Sequence, residues 1–160
     1  MVYRLAKRSD LEAFLDLRME FLEEVSQLKD PESFRAANRR YLENHMEGED
    51  LLVFVAEENG RLAAGCAVCI ADALPLPSCP SGRRGELLSV YTRPCCRRQG
   101  HGRRLLQLVL RELEQRGTDL LRLHATEAGY PMYCKLGFQM LDREMEYRLH
   151  EPAGLPRRGT

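Results

Sequence analysis

The chain has 160 residues, the size of one ordinary domain, enough to bury a continuous core and too few for two comfortable ones. Hydrophobic residues make up 44% and charged residues 30%, and 24 basic side chains balance 24 acidic ones, which argues against a disordered chain and against a strongly basic nucleic-acid surface. No basic, apolar and small-residue leader opens the sequence and no apolar run is long enough to span a bilayer, so a cytoplasmic address without a membrane partner is expected.

Residues 2–6 alternate as a short strand, and Ser9 with Glu12 makes the capping-box pattern that supplies partners for the first free amides of a helix. Leu11, Phe14, Leu15, Phe21, Leu22 and Val25 follow at helical spacing, which puts them on one apolar face. Asp30 before Pro31 starts a second helix, carrying Phe34, Tyr41 and Leu42 and fading near Gly48. Residues 51–57 and 62–70 read as two strands joined by the hairpin turn Asn59-Gly60. Residues 71–85, rich in Pro, Gly and Ser, read as an exposed loop. Residues 86–92 form a fourth strand stopped by Pro94, and a glycine turn then feeds a helix with Leu105, Leu106, Val109 and Leu113 inward and Gly117 at its end. The strand at 120–125 completes a crossover unit, which should be right-handed and parallel. A short helix near 131–136 ends at Gly137. Residues 138–141 and 144–149 read as a closing hairpin, giving a domain over 1–150 with a loose tail at 151–160.

Six cysteines in a cytosolic chain of this size are expected to be reduced. Cys66 and Cys69 have metal-like spacing, but strand alternation points their sulfurs to opposite faces, so packing is preferred and no metal is expected. Cys95 and Cys96 are adjacent and ill placed to share an ion, and Cys134 reads as helix packing.

Gly100 and Gly102 flank one residue at a helix start, where missing side chains let backbone amides converge on an anion. Arg97, Arg98, Arg103 and Arg104 surround them, a concentration of like charge that favours a negative ligand. The turn lacks the lysine of a P-loop and the spacing of a dinucleotide fingerprint. The segment Arg97-Arg98-Gln99-Gly100-His101-Gly102, reached from Leu88-Ser89-Val90-Tyr91-Thr92, resembles the coenzyme A turn of the GNAT acetyltransferases, and Tyr133-Cys134-Lys135-Leu136-Gly137-Phe138 resembles that family's tyrosine followed by Gly-Phe. The order of elements agrees with the family from Val2 to about Leu149.

The resemblance implies a mixed α/β (α+β) fold, a mainly antiparallel sheet of six or seven strands with four helices, the fourth and fifth strands parallel and splayed around coenzyme A. It implies acetyl-CoA as co-substrate, its pantetheine arm paired with backbone at Leu88, Ser89 and Val90 as an added strand, and its pyrophosphate on amides from Arg98 to Arg103. It also implies an amine acceptor, small molecule or peptide, between the first two helices and the final hairpin, and homodimers are frequent in the family. Acetyl transfer needs a neutral amine, and Glu86 resembles the general base of some members; a solvated charge at a strand end is the competing reading. Tyr133 is the candidate acid for the departing thiolate, against an ordinary packed tyrosine, and an amide near Val90 is a candidate oxyanion donor. Thr126 stands where the family often has an asparagine touching coenzyme A, and a threonine hydroxyl can cap or donate in its place. His101 and His124 are read as peripheral. Glu20, Glu23, Glu24, Glu43 and Glu47 suit a cationic acceptor or form a solvated face, with Arg18, Arg35, Arg39 and Arg40 diluting the signal. A non-catalytic acetyl-CoA sensor of the same fold and a cysteine-based metal or redox protein are the other two function classes.

Overall fold

The computed structural model of the chain describes residues 1–141, 144–147 and 149. It divides into two compact units, Met1–His124 and Ala125–Thr160.

The first unit is a five-stranded sheet in the order β1 (Val2–Leu5), β2 (Leu51–Glu58), β3 (Arg61–Asp72), β4 (Arg83–Thr92), β5 (Leu120–Leu123), with all pairs antiparallel except β4 and β5. Helices α1 (Leu11–Val25) and α2 (Pro31–His45) belong to one face and α3 (His101–Gln115) to the other. Both faces are therefore covered, and β2 is buried at every position from Leu51 to Ala56. Leu51, Val53, Val55 and Ala67 join Phe14, Leu15 and Leu17 in the core under α1, while α3 contributes Leu105, Leu106, Val109 and Leu113, none more than 3% exposed. A Cβ at Gly65 would lie 3.1 Å from the Phe14 ring and 3.3 Å from the Phe54 carbonyl oxygen, so a side chain there needs its neighbours to give by a few tenths of an ångström.

Local chemistry explains most boundaries. Asn59 and Gly60 both take left-handed dihedrals (φ 51° and 77°), the conformation a two-residue hairpin turn demands. Asp30 caps α2 by accepting from the Ser33 amide at 3.1 Å, with Pro31 in the first turn. The start of α1 differs from the expected Ser9–Glu12 box. A 3-10 turn at Arg8–Asp10 precedes it, and the Asp10 carboxylate accepts from the Lys7 amide at 2.6 Å. Asp10 is chosen over Ser9 because it also receives both guanidinium nitrogens of Arg4, which reaches Glu57 as well, so one arginine ties β1, the helix start and β2 together.

The segment expected as a loop is shorter than residues 71–85. β3 runs on to Asp72 and β4 begins at Arg83, these two being register partners, and the connection is held by Ala73 and Gly82 backbone bonding and a Leu76–Cys79 bridge. Glu86 therefore lies inside β4 and does not open it. The sheet has five strands among the described residues, fewer than the six or seven expected. Residues 138–141 and 144–147, assigned to a closing hairpin, are in no strand, and the rest of that hairpin and the tail at 151–160 lie outside the described residues except Leu149.

The second unit carries α4 (Tyr130–Lys135), with Pro131 in its first turn and a left-handed Gly137 (φ 92°) just past its end.

Candidate functional site

β4 carries a bulge. Gly65 pairs with Tyr91 and Ala67 with Leu88, so Ser89 and Val90 together oppose Cys66, and Ser89 takes a left-handed φ of 53°. Pairing between β4 and β5 ends at Leu87 and Leu123, although β4 continues to Thr92. The backbone of residues 88–92 therefore has no strand partner on its β5 side among the described residues. That is the open edge onto which an extended chain can add.

Beyond Thr92 a 3-10 turn at Pro94–Cys96 leads to the start of α3. Arg98 (φ 64°) and Gly100 (φ 80°) are both left-handed and alternate with ordinary residues, curling the backbone so that successive amides face one concavity. Among the described residues the amides of Arg98 to Arg103 donate to no backbone carbonyl; the first to do so is Arg104, to Gly100 at 3.1 Å. These orphan donors at a helix N-terminus, with its partial positive charge, fit a pyrophosphate.

The arginines around the turn differ in use. Arg97 donates to Glu24 of α1 at 2.5 Å and to the Thr92 carbonyl at 2.9 Å and lies over the Tyr91 ring, so its guanidinium pins the turn to α1. Arg93 pairs with Glu20 in the same way. Arg104 reaches the Tyr3 hydroxyl, whose oxygen is 2.7 Å from His101 Nδ1. His101 is 5% exposed and its Nε2 has no partner among the described residues, so this residue, read as peripheral from sequence, is packed at the first turn of α3. Gln99 and the side chains of Arg98 and Arg103 are exposed.

On the α1–α2 face the same strand borders a cavity of about 330 Å³ walled by Phe14, Phe34, Tyr41, Leu42, Leu51 and Leu88. Glu86 is exposed and shares this face, two residues from Leu88 and directly across from Cys69, which also lines the cavity. Cys69 Sγ lies 3.6 Å from the Tyr41 hydroxyl, and that contact, with burial, pushes the phenol up to about 12. Cys66 is fully buried on the opposite face, its thiol also pushed up to about 12 by burial, so the two cysteines diverge as alternation requires. All six cysteines are free, and among the described residues no group of three metal-ligating side chains occurs.

The sequence reading gave Arg18 no role beyond diluting the acidic signal of the first two helices. Arg18 of α1 lines the cavity, donating from Nε to Asn38 Oδ1 and from Nη1 to Ser89 Oγ in the β4 bulge. Its signal was present: residue 18 continues the spacing 11, 14, 15 of the apolar stripe, and a charged residue in such a stripe asks for a reason. Four of the five acids of α1 are committed elsewhere, Glu12 and Asp16 to Arg39 and Arg35, Glu20 and Glu24 to Arg93 and Arg97, and Glu23 is exposed.

The remaining sequence candidates fall in the second unit. Thr126 Oγ1 accepts from the Gly129 amide at 3.2 Å, a local turn that leaves its O–H free to donate. Tyr133 is 8% exposed and meets the Phe138 ring edge-on, and a Cβ at residue 129 would lie 2.9 Å from the Tyr133 ring. Gly129 therefore lets that ring pack close to Thr126.

An open strand edge thus lies ahead of an amide-lined helix start. The acetyltransferase (GNAT) family profile matches residues 11–138, and the chain belongs to that family. A predicted acetyltransferase from Clostridium acetobutylicum, its structure determined with acetyl-CoA, is 28% identical and superposes with a TM-score of 0.84 over 92% of this chain and 96% of its own. A GCN5-related N-acetyltransferase from Ralstonia eutropha is 26% identical, with a TM-score of 0.83 over 92% and 97%. An aminoglycoside N-acetyltransferase in complex with coenzyme A shares the fold at 19% identity, with a TM-score of 0.74 over 92% and 93%. No curated protein matches the chain in sequence. No helix among the described residues is long and apolar enough to cross a membrane.

Proposed function

We propose that this chain transfers the acetyl group of acetyl-CoA directly to a primary amine while both are bound. The observation that carries the reading is the row of orphan amides from Arg98 to Arg103 beside the unpaired β4 edge. The amides hold the pyrophosphate, and backbone groups of Leu88, Ser89 and Val90 pair with the pantetheine arm, so donor recognition rests on main chain and needs few side chains. An amide at the bulge, near Val90, points toward the reacting carbonyl and stabilises charge developing on its oxygen.

An alkyl amine is mostly protonated at neutral pH, with a pKa near ~10.4 for a lysine-like group. Glu86, exposed on the cavity side of β4, takes that proton through water. Tyr133 returns a proton to the departing thiolate and Thr126 donates to the donor's amide groups; both assignments rest on the family motif and on the hydrogen-bonding capacity of the two side chains.

The deciding experiment is release of free thiol from acetyl-CoA across a panel of amines. A substrate should be found, and Tyr133→Phe should lower its turnover ~100-fold with acetyl-CoA affinity retained, the range of a positioned acid. Full turnover by Tyr133→Phe would remove the acid assignment. Tight acetyl-CoA binding without transfer to any amine would make the chain a sensor instead of an enzyme.

A further inference from the structure

The cavity between α1, α2 and β4 holds a cation without a counter-ion. Of its lining residues none is Asp or Glu, and Arg18 has no carboxylate partner among the described residues. Its two hydrogen-bond acceptors, Asn38 and Ser89, are neutral, and Asn38 is fixed in that role because its own amide donates to the Phe34 carbonyl at 2.8 Å. A guanidinium has five N–H donors, so three remain, in a pocket otherwise walled by Phe14, Phe34, Leu42, Leu51 and Leu88. Burial alone pulls the Arg18 guanidinium below its usual range, as it does for a charge removed from water and not repaid by an opposite one.

Resting on the acetyltransferase reading above, we infer that the acceptor is a free amino acid with an apolar side chain, its carboxylate held by Arg18 and its side chain by the aromatic and aliphatic wall. The geometry supports three parts of that inference. Arg18 presents a planar donor fork, which matches a carboxylate with two parallel bonds. Arg18 is bonded to Ser89 in the bulge, so a carboxylate on its remaining nitrogens brings an amine one carbon away close to residues 88–90, where the acetyl group is expected. A volume of about 330 Å³ suits a molecule the size of a single amino acid. Four of the five acids of α1 that a polycationic acceptor would use are neutralised by Arg35, Arg39, Arg93 and Arg97, which leaves only the exposed Glu23.

The test compares leucine, methionine and phenylalanine with their decarboxylated amines and their carboxamides, by thiol release and by calorimetry on the CoA-loaded protein. The free amino acids should be preferred by at least ~30-fold in kcat/KM, the range for losing charge-assisted hydrogen bonds at a desolvated site. Arg18→Gln should erase the preference by raising KM ~30-fold or more with kcat little changed, and Arg18→Lys should restore part of it, a pattern that simple loss of packing does not give. Equal or better use of the decarboxylated amines would overturn the inference and leave the acetyltransferase reading intact. No amino-acid binding by the CoA-loaded native protein would overturn it as well, and the absence of transfer to every amine class would overturn the acetyltransferase reading separately.

Discussion

The proposed donor turn and the proposed acceptor cavity meet along β4 and are built on opposite principles. The turn at Arg97–Gly102 offers backbone amides, with Arg98 and Gly100 held left-handed to aim them, and its best-placed arginines serve as struts to α1. The cavity offers side chains: an apolar wall and one guanidinium held by Asn38 and Ser89. A main-chain site depends on where glycine and a helix start fall in sequence. A side-chain site depends on which residues distant in sequence converge, so two chains can share the first and differ completely in the second.

Variants on each side separate these principles. The largest effect is expected from Gly100→Val. A Cβ at this position meets nothing within 4 Å, so packing is spared, but φ of 80° is forbidding to a β-branched residue and costs about 2 to 3 kcal/mol. If the turn relaxes to escape that strain, calorimetric affinity for coenzyme A falls by tens of fold, while amino-acid preference among the remaining turnovers is unchanged. A loss confined to acceptor KM would break the comparison. Next comes Asp10→Asn, on the acceptor side, where Asp10 seats α1 and with it Arg18. Losing a paired, largely buried carboxylate costs about 2 kcal/mol of folding stability, read as a lower urea midpoint. The Arg4 guanidinium holds the Asp10 carboxyl below its usual range, so this contribution is complete above the unfolded pKa of ~3.9 and is lost as pH falls through the depressed folded value. The native protein should therefore lose its advantage over Asp10→Asn in acid; an advantage that persists below that window would contradict the pairing. The smallest effect is from Arg98→Gly. Relief of a left-handed non-glycine residue offsets the added unfolded-state freedom and leaves stability within about 1 kcal/mol, and coenzyme A affinity should stay within ~threefold because the amide remains. A tenfold loss would show that the side chain, and not the backbone, reads the phosphate.

The same contrast explains what was legible in the sequence. The turn at Asn59-Gly60, the cap at Asp30, and the helix start after Gly100 are local events, written in residues whose φ or side-chain reach has few uses, and the structure has them where they were expected. The start of α1 was misjudged by one residue because Arg4, six positions away, selects Asp10 over Ser9. Glu86 was taken for a strand opening because the Pro, Gly and Ser around it suggested loop, whereas pairing of Asp72 with Arg83 across the sheet extends both strands. The cavity could not be read as a unit, since Arg18, Asn38 and Cys69 come from three elements and nothing in the chain's order says that they converge.

The bulge at Ser89 and Val90 also acts as a change of parity. Leu88 and Tyr91 are three residues apart, an odd step that would send them to opposite faces of a regular strand. Their partners Ala67 and Gly65 are two apart, an even step, and both side chains serve the α1 side, Leu88 on the cavity and Tyr91 in the core with Phe21 beside it. One additional residue thus lets a single strand keep its apolar phase before and after the gap. Straightening the bulge with all its residues kept would turn Tyr91 toward α3 and carry the following turn half a pleat out of step, so the bulge itself holds the coupling between the first half of β4 and the helix start.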